Sequence, residues 1–448
     1  MKLFRKFVTS ILLLAFVITL FRPAMVQAKA YTIPEEMQWW ADDKFGMFIH
    51  FGSYSQYAQG EWAMSEQKIS KKKYQETISA KFNPVNFNAE EIVSYAKNAG
   101  MKYIVITAKH HEGLSMWDTK VESFKDYTGT KMYSLQQYTP FGATGRDVLM
   151  ELKNACEAAG IKFGLYYSII DWNHSSQEMD GSFTKIQSMK VRKAYINDMK
   201  AQLKELVDIY KPAVMWFDGD WTYNQDKPTL NSWWTKADGE DLYNYIKELD
   251  SSILVNERVF RGAGLGDFEC PEQTVPDTAL SRPWETCQTM NKSWGYKESD
   301  EKNYRSTKEI VRELVTVASR KGNYLLNIGP KGDGSMTDNS KKVLSGMAKW
   351  MNVYSESIYN TTGSPFKKEP AWGLYTWQDK KVYAHVWKRP KNGKLVMSQY
   401  KNKKISRVYM LQEADKDIKY SLKNKKITVK LPKTLPNKTD TVVVVEYK

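Results

Sequence analysis

Cysteine and histidine are scarce in this 448-residue chain, and each scarcity excludes something. The three cysteines are Cys156, Cys270 and Cys287. So few, and an odd number, do not make the disulfide framework of a small secreted domain. A single bridge between Cys270 and Cys287 is conceivable, and spacing does not decide it. The cysteines lack metal-binding spacing and no His-Glu-x-x-His helix is present, so a catalytic metal is not indicated. No Gly-rich turn follows the first strand-like run, which disfavours a dinucleotide-binding fold. Beyond the N-terminus no stretch is long and apolar enough to span a bilayer. There are no internal repeats and no low-complexity segments.

What is present begins with a leader. Met1-Lys2-Leu3-Phe4-Arg5-Lys6 is basic, and an apolar run follows from Phe7 to Phe21. Val26-Gln27-Ala28 and Ala28-Lys29-Ala30 both offer small residues to a signal peptidase. The pattern predicts a secretory signal over residues 1–30 and an exported product. An uncleaved anchor is the alternative. The net charge of +15 suggests nucleic acid until its distribution is read. Residues 1–30 hold five basic residues and no acidic ones, and residues 366–448 hold 21 Lys or Arg against 7 Asp or Glu. The span between is slightly acidic, and no nucleic-acid motif accompanies the basic tail. A lysine-rich tail suits weak contact with an anionic cell wall or glycan, or is simply a solvated surface.

Hydrophobic patterning divides the chain. Phe45 to Gly52, Tyr103 to Ala108, Lys162 to Ile170, Ala213 to Asp218, Ile253 to Arg258 and Asn323 to Pro330 read as buried strands. Helical stretches lie over residues 89–100, 147–160, 192–210, 240–249, 306–320 and 338–358. Strand–helix alternation over some 300 residues predicts a parallel sheet, and favours a barrel over an open sheet. The expected fold is α/β: a (β/α)8-like TIM barrel over residues 31–361, irregular and with fewer helices than strands. From about Thr362 short strand-like runs predict a separate all-β sandwich domain over residues 362–448. Asn392-Gly393 predicts a hairpin turn between its first two strands.

The chemistry gathers at strand ends. Ala213-Val214-Met215-Trp216-Phe217-Asp218-Gly219 is a buried run that stops at an acid, the place where a barrel keeps its catalysis. The bland reading of Asp218 is a helix cap or the partner of a buried arginine. His50, His110, His111 and His174 all fall just past strands, and only His385 lies in the tail. Four histidines at one rim predict a polar pocket. Trp62, Trp117, Trp172, Trp216, Trp221, Trp284 and Trp294 lie near the same ends, where indoles suit the C–H face of a sugar, although several will only fill the core. Glycoside hydrolysis needs a second carboxylate. Asp267, Glu269, Glu272 and Glu285 are candidates, and the residues alone do not choose between Glu272 beside Pro271 and Glu285 beside Trp284.

Taken together the motifs resemble the α-L-fucosidases of glycoside hydrolase family 29. They are Phe45-Gly46-Met47-Phe48-Ile49-His50-Phe51-Gly52, Gly60-Glu61-Trp62, Thr107-Ala108-Lys109-His110-His111-Glu112-Gly113, Trp216-Phe217-Asp218-Gly219, Ser293-Trp294-Gly295-Tyr296 and Gly322 to Pro330. The resemblance implies a retaining hydrolase of terminal α-L-fucosyl linkages, needing no cofactor and no metal, with a fucosylated glycan as its partner. Asp218 matches the nucleophile. His50, Glu61, Trp62, His110 and His111 match fucose-binding residues, with Tyr167, Arg258 and Trp294 as further pocket members. Glu272 resembles the acid/base of the branch acting on α-1,3/1,4 linkages and is favoured. Glu285 resembles the position used elsewhere and is the alternative. Phe51 stands where Trp is common and Glu112 where Asp is common. The rival readings are a non-catalytic fucose-binding protein, a glycosidase for a related sugar such as an α-L-galactoside, and a wall-attached structural protein.

Overall fold

Seven parallel strands curl around a common interior in the computed structural model, which describes residues 33–180, 183–222 and 228–448. The leader expected over residues 1–30 lies outside the described residues. The strands are β1 (Phe45–Ile49), β2 (Tyr103–Lys109), β3 (Lys162–Ser168), β6 (Val214–Asp218), β7 (Leu254–Val255), β8 (Glu285–Thr289) and β9 (Asn323–Ile328). A small hairpin, β4 (Gln177–Asp180) with β5 (Phe183–Ile186), sits apart from them. The sheet order is β7-β6-β3-β2-β1-β9-β8. Every residue of β1, β2, β6 and β9 is buried, because helices cover one face and barrel side chains fill the other.

The barrel closes through an irregular eighth position. Residues 267–273 run between β7 and β8, with Asp267 N–H donating to Val255 O (2.7 Å), Glu285 N–H to Glu269 O (2.9 Å) and Gln273 N–H to Cys287 O (3.0 Å). Only a three-residue 3-10 helix, Glu257–Val259, stands between β7 and this segment, and no helix joins the segment to β8, so the barrel has fewer α-helices than strands. The run expected to form one strand to Arg258 pairs only over Leu254–Val255. Asn256 then bridges to Phe268, and a tight turn takes over at Glu257.

Helices at Ala89–Asn98, Val148–Ala159, Met189–Tyr210, Lys236–Leu249, Thr307–Ser319 and Asp338–Tyr354 surround the strands. Two of them start earlier than their apolar pattern suggests, because capping residues begin them: Ser188 accepts from Val191 N, and Thr235 with Asp238 forms a capping box. Gly160, at φ 71°, ends the helix it follows, as a residue without Cβ can.

The tail is a sandwich of two antiparallel sheets. One contains β10 (Gly373–Gln378), β11 (Lys381–Val386), β16 (Thr441–Tyr447) and β13 (Ile405–Met410) in that order. The other contains β12 (Lys394–Ser398), β15 (Lys426–Lys430) and β14 (Tyr420–Lys423). Asn392-Gly393 does make a turn, but β11 and β12 belong to different sheets, so the expected hairpin is a crossover. The four-stranded sheet is buried on both faces. Val443 and Val445 pack within the sandwich, while Val442 and Val444 join the barrel's core. Arg312 donates to the carbonyls of Thr439 (2.9 Å) and Trp387 (3.1 Å) and fixes the tail to the barrel's helices. All three cysteines are free and buried, so the conceivable Cys270–Cys287 bridge is not formed.

Candidate active site

The C-terminal ends of the barrel strands converge on one pocket. Phe48, His50, Trp62, His110, His111, Tyr166, Trp216, Asp218, Trp221, Arg258, Glu272, Cys287 and Trp294 line it. Phe48, Tyr166, Trp216 and Cys287 stand within strands, and the others come from strand ends or loops, where this architecture leaves side chains free for chemistry.

Asp218 is the hub. Its Oδ1 accepts from Arg258 Nη1 at 2.9 Å and from Arg261 Nη2 at 3.3 Å. Its Oδ2 accepts from the Tyr166 hydroxyl at 3.2 Å, and His111 Nε2 stands 3.7 Å away. Burial alone would push the carboxyl up. The guanidinium charges of Arg258 and Arg261 outweigh it and hold the group at about 2, so it is ionised through the physiological range. The other end of the Arg258 guanidinium, Nη2, donates to Glu272 Oε2 at 2.8 Å. Asp218 and Glu272 therefore lie within the span of a single guanidinium, which itself packs over the Trp216 ring at 4.7 Å. Glu272 is the more open of the two, with 41% of its side chain exposed.

The histidines are neutral. Burial is the main cause, lowering His50 to about 3, His111 to about 4 and His110 well below its ordinary value. Asn327 on β9 contacts His50 Nδ1 through Oδ1 at 2.7 Å and donates through Nδ2 to Trp294 O at 2.7 Å, so one amide sets two walls of the pocket. His111 Nδ1 lies 2.6 Å from Ser168 Oγ, whose hydroxyl donates to Ile170 O at 2.5 Å. That network assigns the imidazole proton to Nδ1 and leaves Nε2 as an acceptor facing the pocket. His110 Nδ1 is buried with no hydrogen-bond partner among the described residues. Neutral imidazoles presenting open donor and acceptor atoms are suited to hydroxyl groups.

Not every residue singled out from the sequence reaches the pocket. The Tyr167 hydroxyl donates to Gln202 Oε1 at 2.8 Å, on the helix side of β3, and its neighbour Tyr166 faces the interior. Side chains alternate along a strand, and Tyr166 is in register with Trp216, which also points inward. Glu285 opens β8 at the opposite end of the barrel. Its Oε1 accepts from Trp216 Nε1 at 3.2 Å, and its Oε2 accepts from Trp40 Nε1 at 3.3 Å and from the Tyr103 hydroxyl. Burial raises its carboxyl to about 7. Glu61, also buried and raised to about 7, accepts from Gly295 N at 2.7 Å and so anchors the Trp294 loop from behind.

His174 is not at the rim: its Nδ1 contacts Ser176 Oγ at 2.6 Å and its ring packs on Phe124 and Tyr195. Asp267, the other strand-end acid, is taken up by Lys247 at 2.8 Å and Tyr243 at 2.8 Å. Trp117, Trp172 and Trp284 are core residues, whereas Trp62, Trp216, Trp221 and Trp294 form pocket walls. Phe51 packs on Phe82 and Phe87 and Glu112 bonds to Leu114 N, so neither departure from the common motif touches the pocket. Tyr166, Arg261 and Asn327 are the site residues that sequence reading does not name. Among the described residues no group of His, Cys, Asp and Glu is arranged to hold a metal.

Cleaving a glycosidic bond takes one carboxylate at the anomeric carbon and another at the leaving oxygen. The barrel mouth supplies such a pair on one arginine, walled by indoles, and fold and site together define a glycoside hydrolase. The chain belongs to the α-L-fucosidase family. The family model for α-L-fucosidase matches residues 20–356, and that for the α-L-fucosidase C-terminal domain matches residues 367–445. The human tissue α-L-fucosidase is 30% identical over 428 residues, covering 89% of this chain and 86% of its own. The α-L-fucosidase isoenzyme 1 of Paenibacillus thiaminolyticus superposes with a TM-score of 0.80 at 31% identity, over 92% of this chain and 99% of that one. A covalent intermediate trapped with 2-fluoro-fucosyl fluoride in the family 29 enzyme of Bacteroides thetaiotaomicron superposes with a TM-score of 0.80 at 26% identity, over 94% and 98%.

Proposed function

We propose that this α-L-fucosidase is an exported retaining enzyme that removes terminal fucose from oligosaccharides or glycoconjugates, with Asp218 as nucleophile and Glu272 as acid/base. The observation that carries the assignment is the Arg258 bridge, which sets an ionised acid deep in the pocket and a second acid at its open edge. Retention calls for two carboxyl groups about 5–5.5 Å apart, compatible with the span of one guanidinium.

In the first step Asp218 bonds to the anomeric carbon as the bond to the aglycone oxygen breaks, and Glu272 gives that oxygen its proton. In the second, Glu272 takes a proton from water, the water oxygen bonds to the anomeric carbon, and the electron pair of the departing ester returns to Asp218. His50, His110 and His111 hold the sugar hydroxyls, while Phe48, Trp216 and Trp294 offer apolar walls to its C–H face and methyl group. A pocket enclosed by Phe48, Trp62, Trp216 and Trp294 supports action on a terminal sugar. The form of the Glu272 segment supports preference for α-1,3/1,4 linkages. Glu285 is a poor acid/base, because its oxygens are committed to Trp40, Tyr103 and Trp216.

Export is supported by the basic and apolar leader, and no helix among the described residues is long and apolar enough to cross a membrane. The tail supports weak contact with an anionic glycan or wall polymer. The pairing of β12, β15 and β14 puts Lys394, Lys430, Lys426 and Lys423 on one outward sheet face, alongside exposed Val396.

The stereochemistry of azide rescue tests the two catalytic roles. With an activated aryl α-L-fucoside, Glu272→Ala should be rescued by azide to give α-fucosyl azide, formed from the enzyme-bound sugar. Asp218→Ala should give β-fucosyl azide by direct displacement. Wild-type activity in Glu272→Ala would remove that residue from the mechanism.

A further inference from the structure

Asp218 carries a second cation that the retaining mechanism as described does not use. Arg261 Nη2 lies 3.3 Å from Asp218 Oδ1, the same oxygen that Arg258 holds. Arg261 is not free to wander. Asp220, two residues after the nucleophile and wholly buried, takes Arg261 Nε at 2.8 Å and Nη2 at 2.6 Å, and also accepts from the Arg261 backbone N–H at 2.8 Å. The guanidinium is pinned by Nε and Nη2, which both donate to Asp220 Oδ1, and the Trp221 ring lies 5.6 Å from its centre. Gly219, at φ 87°, makes the turn that lets Asp218 and Asp220 reach the same arginine. A Cβ at Gly219 would meet Ile170 N at 3.0 Å.

The groups facing Asp218 are unequally divided. Oδ1 receives both arginines, and Oδ2 has Tyr166 at 3.2 Å and His111 at 3.7 Å, with His50 and Cys287 elsewhere in the wall. Both cations therefore act on Oδ1, while Oδ2 faces only the uncharged Tyr166 and His111. Two positive charges on a carboxylate have opposite effects on the two halves of a double displacement. They stabilise the free carboxylate, which opposes its attack. They equally stabilise the carboxylate as it leaves the glycosyl ester, which favours release.

We infer that Arg261, pinned by Asp220, is a positioning residue that receives the Asp218 carboxylate as it departs, and so speeds hydrolysis of the glycosyl-enzyme rather than its formation. The inference rests on Asp218 being the nucleophile. Arg261 forms no covalent bond: the C1–Oδ bond breaks as the water oxygen bonds to C1, the electron pair returns to Asp218, and the water's proton goes to Glu272.

The test is pre-steady-state and steady-state kinetics on an aryl α-L-fucoside with a strongly acidic phenol, for which release of fucose limits kcat. Arg261→Gln should lower kcat about tenfold while kcat/KM stays within about threefold, so that KM falls with kcat and a burst of one phenol per enzyme appears. Arg261→Lys, which keeps the charge, should recover most of kcat. Asp220→Asn keeps Arg261 but loosens it, and should shift kcat in the same direction by a smaller factor. These two variants carry the test if Arg261→Gln does not fold by its thermal transition. A parallel loss of kcat and kcat/KM in the folded variants, or no change in either, would overturn the inference. Wild-type turnover with retention and its loss in Asp218→Ala form the control, so failure at Arg261 is distinguishable from failure of the nucleophile assignment.

Discussion

Arg258 gives one arm of its guanidinium to Asp218 at 2.9 Å and the other to Glu272 at 2.8 Å. One buried side chain thus sets both the charge of the deeper acid and the position of the outer one. Lysine cannot hold two carboxylates in this fork. Arg258→Lys is expected to lower kcat/KM by about a hundredfold or more, at the scale of losing a preorganised donor, with the fold intact by circular dichroism. A loss below about threefold would show that the bridge is incidental.

Tyr166 and Tyr167 are adjacent, and only one meets the nucleophile. Tyr166→Phe should reduce kcat/KM by roughly tenfold, since it removes a hydroxyl donor from Asp218 Oδ2. Tyr167→Phe should leave it within about twofold, because that hydroxyl serves Gln202 on the far side of the strand. Kinetics of the pair check the side-chain parity of β3.

Glu285 predicts a pH signature in stability rather than activity. Its carboxyl is raised from 4.5 to about 7 by burial, so the folded state favours the protonated acid. The stability this contributes is present below pH 4.5 and is lost as the pH rises toward 7. Glu285→Gln cannot ionise, but its amide nitrogen replaces one of the oxygens that accept from Trp216, Trp40 and Tyr103. It should flatten the decline between those limits while lowering stability at pH 4.5. Thermal melts across pH 4.5–7 measure this, and the variant should keep its fucosidase activity.

The lysine face of the tail predicts salt-sensitive adhesion. Replacing Lys394, Lys423, Lys426 and Lys430 with glutamine should abolish retention on an anionic wall polymer at low salt and leave aryl fucoside hydrolysis unchanged. Equal retention of wild type and variant would assign these lysines to solubility alone.

Much of this architecture is legible in the sequence because buried parallel strands write long apolar runs that stop abruptly. His50, His110, His111 and Asp218 are visible as the polar residues where those runs end. The same double burial hides parity: in Gly164-Leu165-Tyr166-Tyr167 both faces are apolar, so nothing marks Tyr166 as the inward one. β8 is illegible for the opposite reason. Glu285-Thr286-Cys287-Gln288-Thr289 is polar yet wholly buried, satisfied by hydrogen bonds from distant elements that no local pattern records. The closing segment 267–273 has no periodicity, since it pairs through isolated bridges at Phe268, Glu269 and Glu272, and the role of Glu272 depends on that irregular path. His174 lies past a strand like the other three histidines, but the loop after β3 turns it back into the core. Arg261 becomes meaningful only when Asp220 is seen to hold it.

The central claim is that fucose becomes covalently bonded to Asp218. The most direct measurement is to incubate the enzyme with 2-deoxy-2-fluoro-α-L-fucosyl fluoride, digest it and locate the added mass by tandem mass spectrometry. The account predicts one 2-fluorofucosyl group per enzyme, on Asp218 within the peptide spanning residues 214–221, and none in Asp218→Ala. A label on any other residue, or continued turnover with no label at all, would contradict it.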